Sequence, residues 1–136
     1  MRSAPVSVAS CWPLVARITA DPLILVVHPS IPGTSVKDLV AYAKAKPDTL
    51  IFSSTGLYGS AHLTTAMLMR SADVKLFHSP FNGAGPAMTA VLGNHANMFF
   101  APAGVASPHM QSGRVRALAQ TGSKRVPLFP DLPTLR

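Results

Sequence analysis

Ser53-Ser54-Thr55-Gly56-Leu57-Tyr58-Gly59-Ser60-Ala61-His62-Leu63 joins two runs of different character. Leu50-Ile51-Phe52 leads in as an apolar, strand-like run, and Ala61 to Arg70 leads out as a helix-like one. Between them stand small hydroxyl residues with Gly56 and Gly59. A strand that stops at such a loop and restarts as a helix leaves first-turn N–H groups unpaired, at the positive end of the helix dipole. That arrangement favours anions, so the stretch is read as a binding loop and the rest of the chain as its support.

Outward from this loop, strand and helix signals alternate. Upstream, Leu14 to Ile18 reads as a short strand and Leu23 to His28 as a continuous apolar strand of the kind buried on both faces. Pro29 to Gly33 ends it. Ser35 is a helix N-cap with Asp38 as a short capping-box partner, and Val36, Leu39, Val40 and Ala43 form an apolar stripe that Pro47 stops. Downstream, Val74 to Ser79 reads as a strand, Pro80–Gly85 as a second glycine-containing loop and Ala87 to Leu92 as a helix closed by Gly93-Asn94. Ala96 to Ala101 is a strand, Pro102-Ala103-Gly104 a third loop, Val105 to Ser112 a short helix and Val115 to Thr121 a last strand. From Gly122 the chain turns polar and then proline-rich, without a closing element. The alternation predicts an α/β fold with a mostly parallel sheet flanked by helices, and ligands at the C-terminal strand edge.

The bulk composition narrows the partners. The 136 residues suit one domain, and 48% hydrophobic content argues against disorder. The net charge of +7 comes from 12 scattered basic residues, with one modest group at Lys124-Arg125 and no glutamate, so it gives a general bias toward anions rather than a nucleic-acid face. Cys11 is the only cysteine, which excludes an intrachain disulfide. Val8-Ala9-Ser10-Cys11 looks like a lipoprotein cleavage site but lacks the apolar stretch that would precede one. No apolar run approaches the length of about 18 residues that a membrane-spanning helix needs.

Chemistry of other kinds finds no pattern. The first loop lacks the Gly-Lys-Ser/Thr ending of a P-loop, and Gly56-x-x-Gly59 is not a dinucleotide fingerprint. His28, His62, His78, His95 and His109 fall at no metal-ligand spacing, and no nearby carboxylates pair for acid–base work. Ser60 and His62 are too close along a helix start to face each other. His62 reads either as a first-turn imidazole bonded to backbone or as a ligand contact, and Tyr58 either as a cover over a ligand or as a surface residue. Trp12 reads as packing. No catalytic residue, metal or cofactor is expected.

Several ordered motifs resemble the substrate-binding proteins of tripartite tricarboxylate transporters, the Bug or TctC family. The opening stretch resembles the family's Ser-Gly-x-Gly-Ser-x-x-His-Leu. His28-Pro29-Ser30-Ile31-Pro32 is similar to Asn-Pro-Ser-x-Pro, and Ala43-Lys44-Ala45-Lys46-Pro47 to Ala-Lys-Ala-x-Pro. His78-Ser79-Pro80-Phe81-Asn82-Gly83 resembles His-Val-Pro-Tyr-Lys-Gly, and Gly113-Arg114-Val115-Arg116-Ala117-Leu118-Ala119 resembles Gly-Lys-Leu-Arg-Ala-Leu-Ala. Pro130-Asp131-Leu132-Pro133-Thr134 resembles Pro-Asp-Val-Pro-Thr, so the likeness spans about residues 14 to 134.

The resemblance implies a periplasmic binding protein of two α/β lobes that close on a carboxylate by hinge motion and deliver it to membrane permease subunits. Residues 1–136 would form a single lobe similar to the second one, with the first lobe and the closing C-terminal segment absent. The expected ligand-binding set is Ser54, Thr55, Gly56, Gly59, Ser60 and His62 from the first loop, Phe81, Asn82 and Gly83 from the second, and Ala101 from the third. Phe81 and Asn82 replace the family's tyrosine and lysine, and Asn97 replaces the aspartate common before its Met-Phe strand. Two readings follow: a carboxylate-binding lobe, or a remnant module that folds without binding solute and pairs with a second copy through the surface of the missing lobe.

Overall fold

The computed structural model describes residues 21–135; the expected strand over 14–18, Cys11 and Trp12 lie outside that range. The elements alternate throughout: β1 (Leu23–Val27), α1 (Val36–Ala45), β2 (Ile51–Ser54), α2 (Ser60–Ala72), β3 (Phe77–Pro80), α3 (Ala84–Leu92), β4 (Met98–Pro102), α4 (Ala103–Gln111) and β5 (Arg116–Gln120).

The five strands form one sheet in the order β3-β2-β4-β1-β5. β2 pairs in parallel with both β3 and β4, whereas β1 lies antiparallel to both β4 and β5. Four strands therefore run one way and β1 alone runs against them. The apolar run Ile24–Val27 occupies this reversed, near-central position with every residue buried. A continuous apolar strand signals burial on both faces, and it carries no information about direction.

Two of the helices show their local causes plainly. Ser35 caps α1 by accepting from the Asp38 N–H, while the Asp38 carboxylate accepts from the Ser35 and Thr34 N–H groups. These bonds, led by that from Thr34, hold the Asp38 pKa below the ordinary carboxylate value. Leu39 and Ala43 bury the inner face of α1, and Lys44 sits in its last turn. In α3 the first turn accepts Pro86, whose missing N–H is no loss there. The left-handed residue after α3 is Asn94 (φ 57°), not Gly93 (φ −84°). β3 is displaced from the expected span: Val74 to Leu76 lie outside the ladder, and pairing begins at Phe77 opposite Ile51.

Side chains alternate across β2 and so separate two layers. Phe52 faces α2, where its ring stacks with His62 at 6.2 Å. Ser53 faces the opposite side, where its hydroxyl donates to the carbonyl of Ala87 in α3 (3.1 Å). Between the layers, Phe52, Met98, Phe99, Phe100 and Met88 form the heart of the core.

The chain beyond Gly122 is tied down. The fully buried Gln120 side chain donates to Leu132 O (2.8 Å) and accepts from Val126 N–H (3.0 Å). Its backbone pairs with Pro133 and Leu135, so the proline-rich segment lies alongside β5.

Candidate functional site

Because β2, β3 and β4 run in parallel and neighbour one another, their C-terminal ends share one edge. Helices α2, α3 and α4 start there, at the N-caps Gly59, Gly83 and Pro102. None of the three has a side-chain cap or an acidic residue in its first turn. The start of α1 differs on both counts: it has the Ser35–Asp38 capping box and follows the reversed strand β1, which ends at the opposite edge. Three adjacent helix N-termini with unsatisfied donors and no competing carboxylate make this edge electropositive and rich in N–H groups. The crossover from β2 leads to β3, on one side, and that from β4 leads to β5, on the other. The crevice at such a switch point is where open α/β sheets take ligands.

The first loop has a defined internal scaffold. Ser54 is fully buried; its hydroxyl donates to Gly56 O (3.0 Å) and accepts from Gly56 N–H (3.3 Å). The same oxygen lies 2.7 Å from His78 Nε2. With the hydroxyl proton directed to Gly56 O, the ring Nε2–H is the donor to Ser54 Oγ. Gly56 has φ 132°, outside the region open to residues with a side chain, and a Cβ there would meet nothing within 4 Å. At Gly59, a Cβ would stand 3.2 Å from Thr55 Oγ1. His62 turns back: its Nδ1 accepts from the Tyr58 N–H (2.9 Å). The backbone bond that one of the two readings of His62 expects is thus present. Tyr58 is left-handed (φ 61°), 78% exposed and tilted over the His62 ring at 5.9 Å.

His78 is the site-adjacent residue absent from the expected set. Its ring lies parallel to that of His62 (4.2 Å, 1°) and stacks on Phe52 at 4.6 Å. Burial, and secondly the positive charge His62 would carry, push its pKa below the ordinary imidazole value. The sequence signal was the histidine beside the second loop, in the register that sets His78 against Phe52 on β2.

The other expected residues fall into place unevenly. Ser60 is exposed in the first turn of α2, and Thr55, Gly56 and Gly59 are half-buried along the loop. Phe81 N–H donates to Ser54 O (2.9 Å), which ties the second loop to the first, while its side chain packs against the core. Asn82 is exposed, and Gly83 caps α3 with φ 121°. Ala101 lies inside β4 opposite Ile24 with its side chain fully buried, so the first exposed donors beyond β4 belong to α4. Asn97 sits one residue before β4, at the edge away from these loops. Its side chain accepts from Ile51 N–H (2.8 Å) and donates to Asn94, which is a structural role. Among the described residues no group of three or more metal-ligating side chains converges.

An α/β sheet with helix N-termini gathered at a switch-point edge is the architecture that solved periplasmic-binding-protein lobes share with this chain. The solved structure of R. palustris Rpa4515 with adipate superposes with a TM-score of 0.82 at 30% identity, over 85% of this chain and 38% of that one. The periplasmic binding protein BugD superposes at 0.80 with 31% identity, again over 85% of this chain and 38% of that one. The family profile described as "Tripartite tricarboxylate transporter family receptor" (TctC) matches residues 7–136. The chain belongs to the tripartite tricarboxylate transporter receptor family, a family of solute-binding proteins and not of enzymes. A relative from Cupriavidus necator, the UPF0065 protein in gbd 5'region, is 36% identical over 112 residues, which are 82% of this chain and 34% of that protein. The chain thus spans between a third and two-fifths of the length of these three proteins.

Proposed function

We propose that this chain is one lobe, similar to the second, of a two-lobed extracytoplasmic receptor that binds a small carboxylate for uptake through membrane permease subunits. The observation that supports it most is the row of three uncapped helix N-termini at the shared edge of β2, β3 and β4. A carboxylate there accepts N–H bonds from the first turns of α2, α3 and α4, with the hydroxyls of Thr55 and Ser60 beside it. Gly56 and Gly83, both at positive φ, let the backbone come close to the ligand. Ser54 acts from beneath, because its hydroxyl is already committed to Gly56 and His78. A related protein solved with adipate supports a dicarboxylate as the ligand class. The other lobe, a periplasmic location and the permease partner are carried over from the family.

The test is a thermal-shift series on the 136-residue chain with mono-, di- and tricarboxylates, and with sulfate and phosphate as controls. A ligand bound only by the folded state stabilises by RT ln(1 + [L]/Kd), about 2.7 kcal/mol at a hundred times Kd. A shift selective for one carboxylate class is expected. A cooperative melt unmoved by every acid contradicts binding by this lobe alone.

A second reading rests on exposed apolar side chains at and near the same edge. Leu57 is 64% exposed and Tyr58 78%. In that reading the lobe pairs with another copy of itself and takes no solute. Sedimentation showing a dimer that persists on dilution supports it, and a monomer at all concentrations rules it out.

A further inference from the structure

We infer that His78 is a positioning residue for the Ser54–Ser60 loop, holding Ser54 by hydrogen bond and His62 by ring stacking, and through them the backbone at Gly56 and Tyr58. The inference rests on the carboxylate-site reading only in naming what the loop is for.

The geometry is a relay with two arms. In the first, His78 Nε2 lies 2.7 Å from Ser54 Oγ, and that oxygen bonds both the N–H and the carbonyl of Gly56. In the second, the His78 ring lies flat on His62 at 4.2 Å, and His62 Nδ1 accepts the Tyr58 N–H. Both arms end on residues at positive φ, Gly56 at 132° and Tyr58 at 61°. Such conformations persist where neighbouring contacts over-determine them. Phe52 floors the stack from β2, and its packing fixes the plane of the His78 ring.

The second arm requires an unprotonated Nδ1 on His62, whereas the Nε2–H of His78 can donate to Ser54 in either charge state. A proton on His62 Nδ1 would replace the acceptor of the Tyr58 bond with a donor. Two imidazolium rings in parallel contact repel, and a single charge in the stack disfavours the second. Among the described residues, the titratable ring stacked on His78 is His62 from α2, with the Tyr58 ring beyond it. From β2 the His78 ring meets Phe52 and the Ser54 hydroxyl. Among the described residues no Asp, Lys or Arg side chain hydrogen-bonds to either ring. The lowered His78 pKa, due first to burial, agrees with an uncharged His78 ring.

The test is made on the 136-residue chain without ligand. The imidazole nitrogens and backbone amides of 15N-labelled protein are followed by NMR from alkaline to acidic pH. His78 is expected to protonate below the ordinary imidazole range, and the Gly56 amide signal to move with the same midpoint. His62→Asn keeps an acceptor near Tyr58 but removes the neighbouring charge, and should raise that midpoint. His78→Gln keeps a donor for Ser54, so the Gly56 amide should stay near its wild-type position and lose its pH dependence; His78→Ala should displace it at every pH. A Gly56 amide indifferent to the protonation of His78, or one left in place by His78→Ala, would overturn the inference. Since no carboxylate enters the experiment, its failure leaves the binding proposal standing, and failure to bind a carboxylate leaves the relay standing.

Discussion

At the residue scale, positive φ and close contact decide which changes matter. Gly56→Ala places a side chain at φ 132°, where space is open but the backbone is forbidden. The variant should lose about 1–3 kcal/mol in denaturant unfolding, the ordinary cost of a strained residue. Gly59→Val is a different case, because φ −68° suits valine and the conflict is with Thr55 Oγ1 at 3.2 Å. It should fold and lose carboxylate affinity, and unchanged affinity would remove Gly59 from the site. His78 adds a pH dependence of definite sign. Its native pKa lies below the unfolded value, so the unfolded chain binds the extra proton first as pH falls. Its contribution to stability is complete above the ordinary imidazole value of about 6.5 and declines toward its lowered native value. The quoted loop was legible as a glycine-and-hydroxyl turn before a helix. That Ser54 points inward to a histidine from the next strand was not legible, because only strand register brings residues 24 positions apart into contact.

At the element scale, the helices divide into one that caps itself and three that leave their donors free. Ser35→Ala should cost about 1 kcal/mol, as loss of an N-cap does, and leave carboxylate affinity unchanged, because the start of α1 lies at the far edge. Chemical denaturation and calorimetric titration of that one variant separate the two roles. The Asp38 carboxylate should stay ionised until the pH falls below its ordinary range, and the capping bonds it accepts are lost as it protonates. The Ser35–Asp38 cap was readable because both partners are local in sequence. The start of β3 at Phe77 was not: Val74 and Leu76 carry the same apolar signal, and the ladder is set by what β2 offers opposite. The family's aspartate position shows the same limit. Asn97 reads as a lost site charge on the motif alone, yet its place before β4 makes it a stitch to β2.

At the scale of the whole molecule, the alternation of signals was enough for the α/β class and for the candidate edge, while strand direction needed the tertiary structure. Ile24–Val27 would be equally buried in either direction, so nothing local marked β1 as the reversed strand. The proline-rich end shows how one buried polar side chain organises a segment without regular structure. Gln120→Leu would leave Val126 N–H and Leu132 O without their partner, at a cost of about 1–3 kcal/mol for the unmet groups. Limited proteolysis should then cut after Lys124 or Arg125 at a protein concentration and time that spare the wild type. Under the proposed function, the shared edge of β2, β3 and β4 receives a carboxylate. An amide-resolved NMR titration of the 136-residue chain with adipate tests it most directly. Saturable shifts are expected at Gly56, Ser60, Ala61, Ala84, Gly85, Ala103 and Gly104, with Ser35 and Asp38 unmoved. Shifts centred on the far edge, or none at saturating acid, would contradict it.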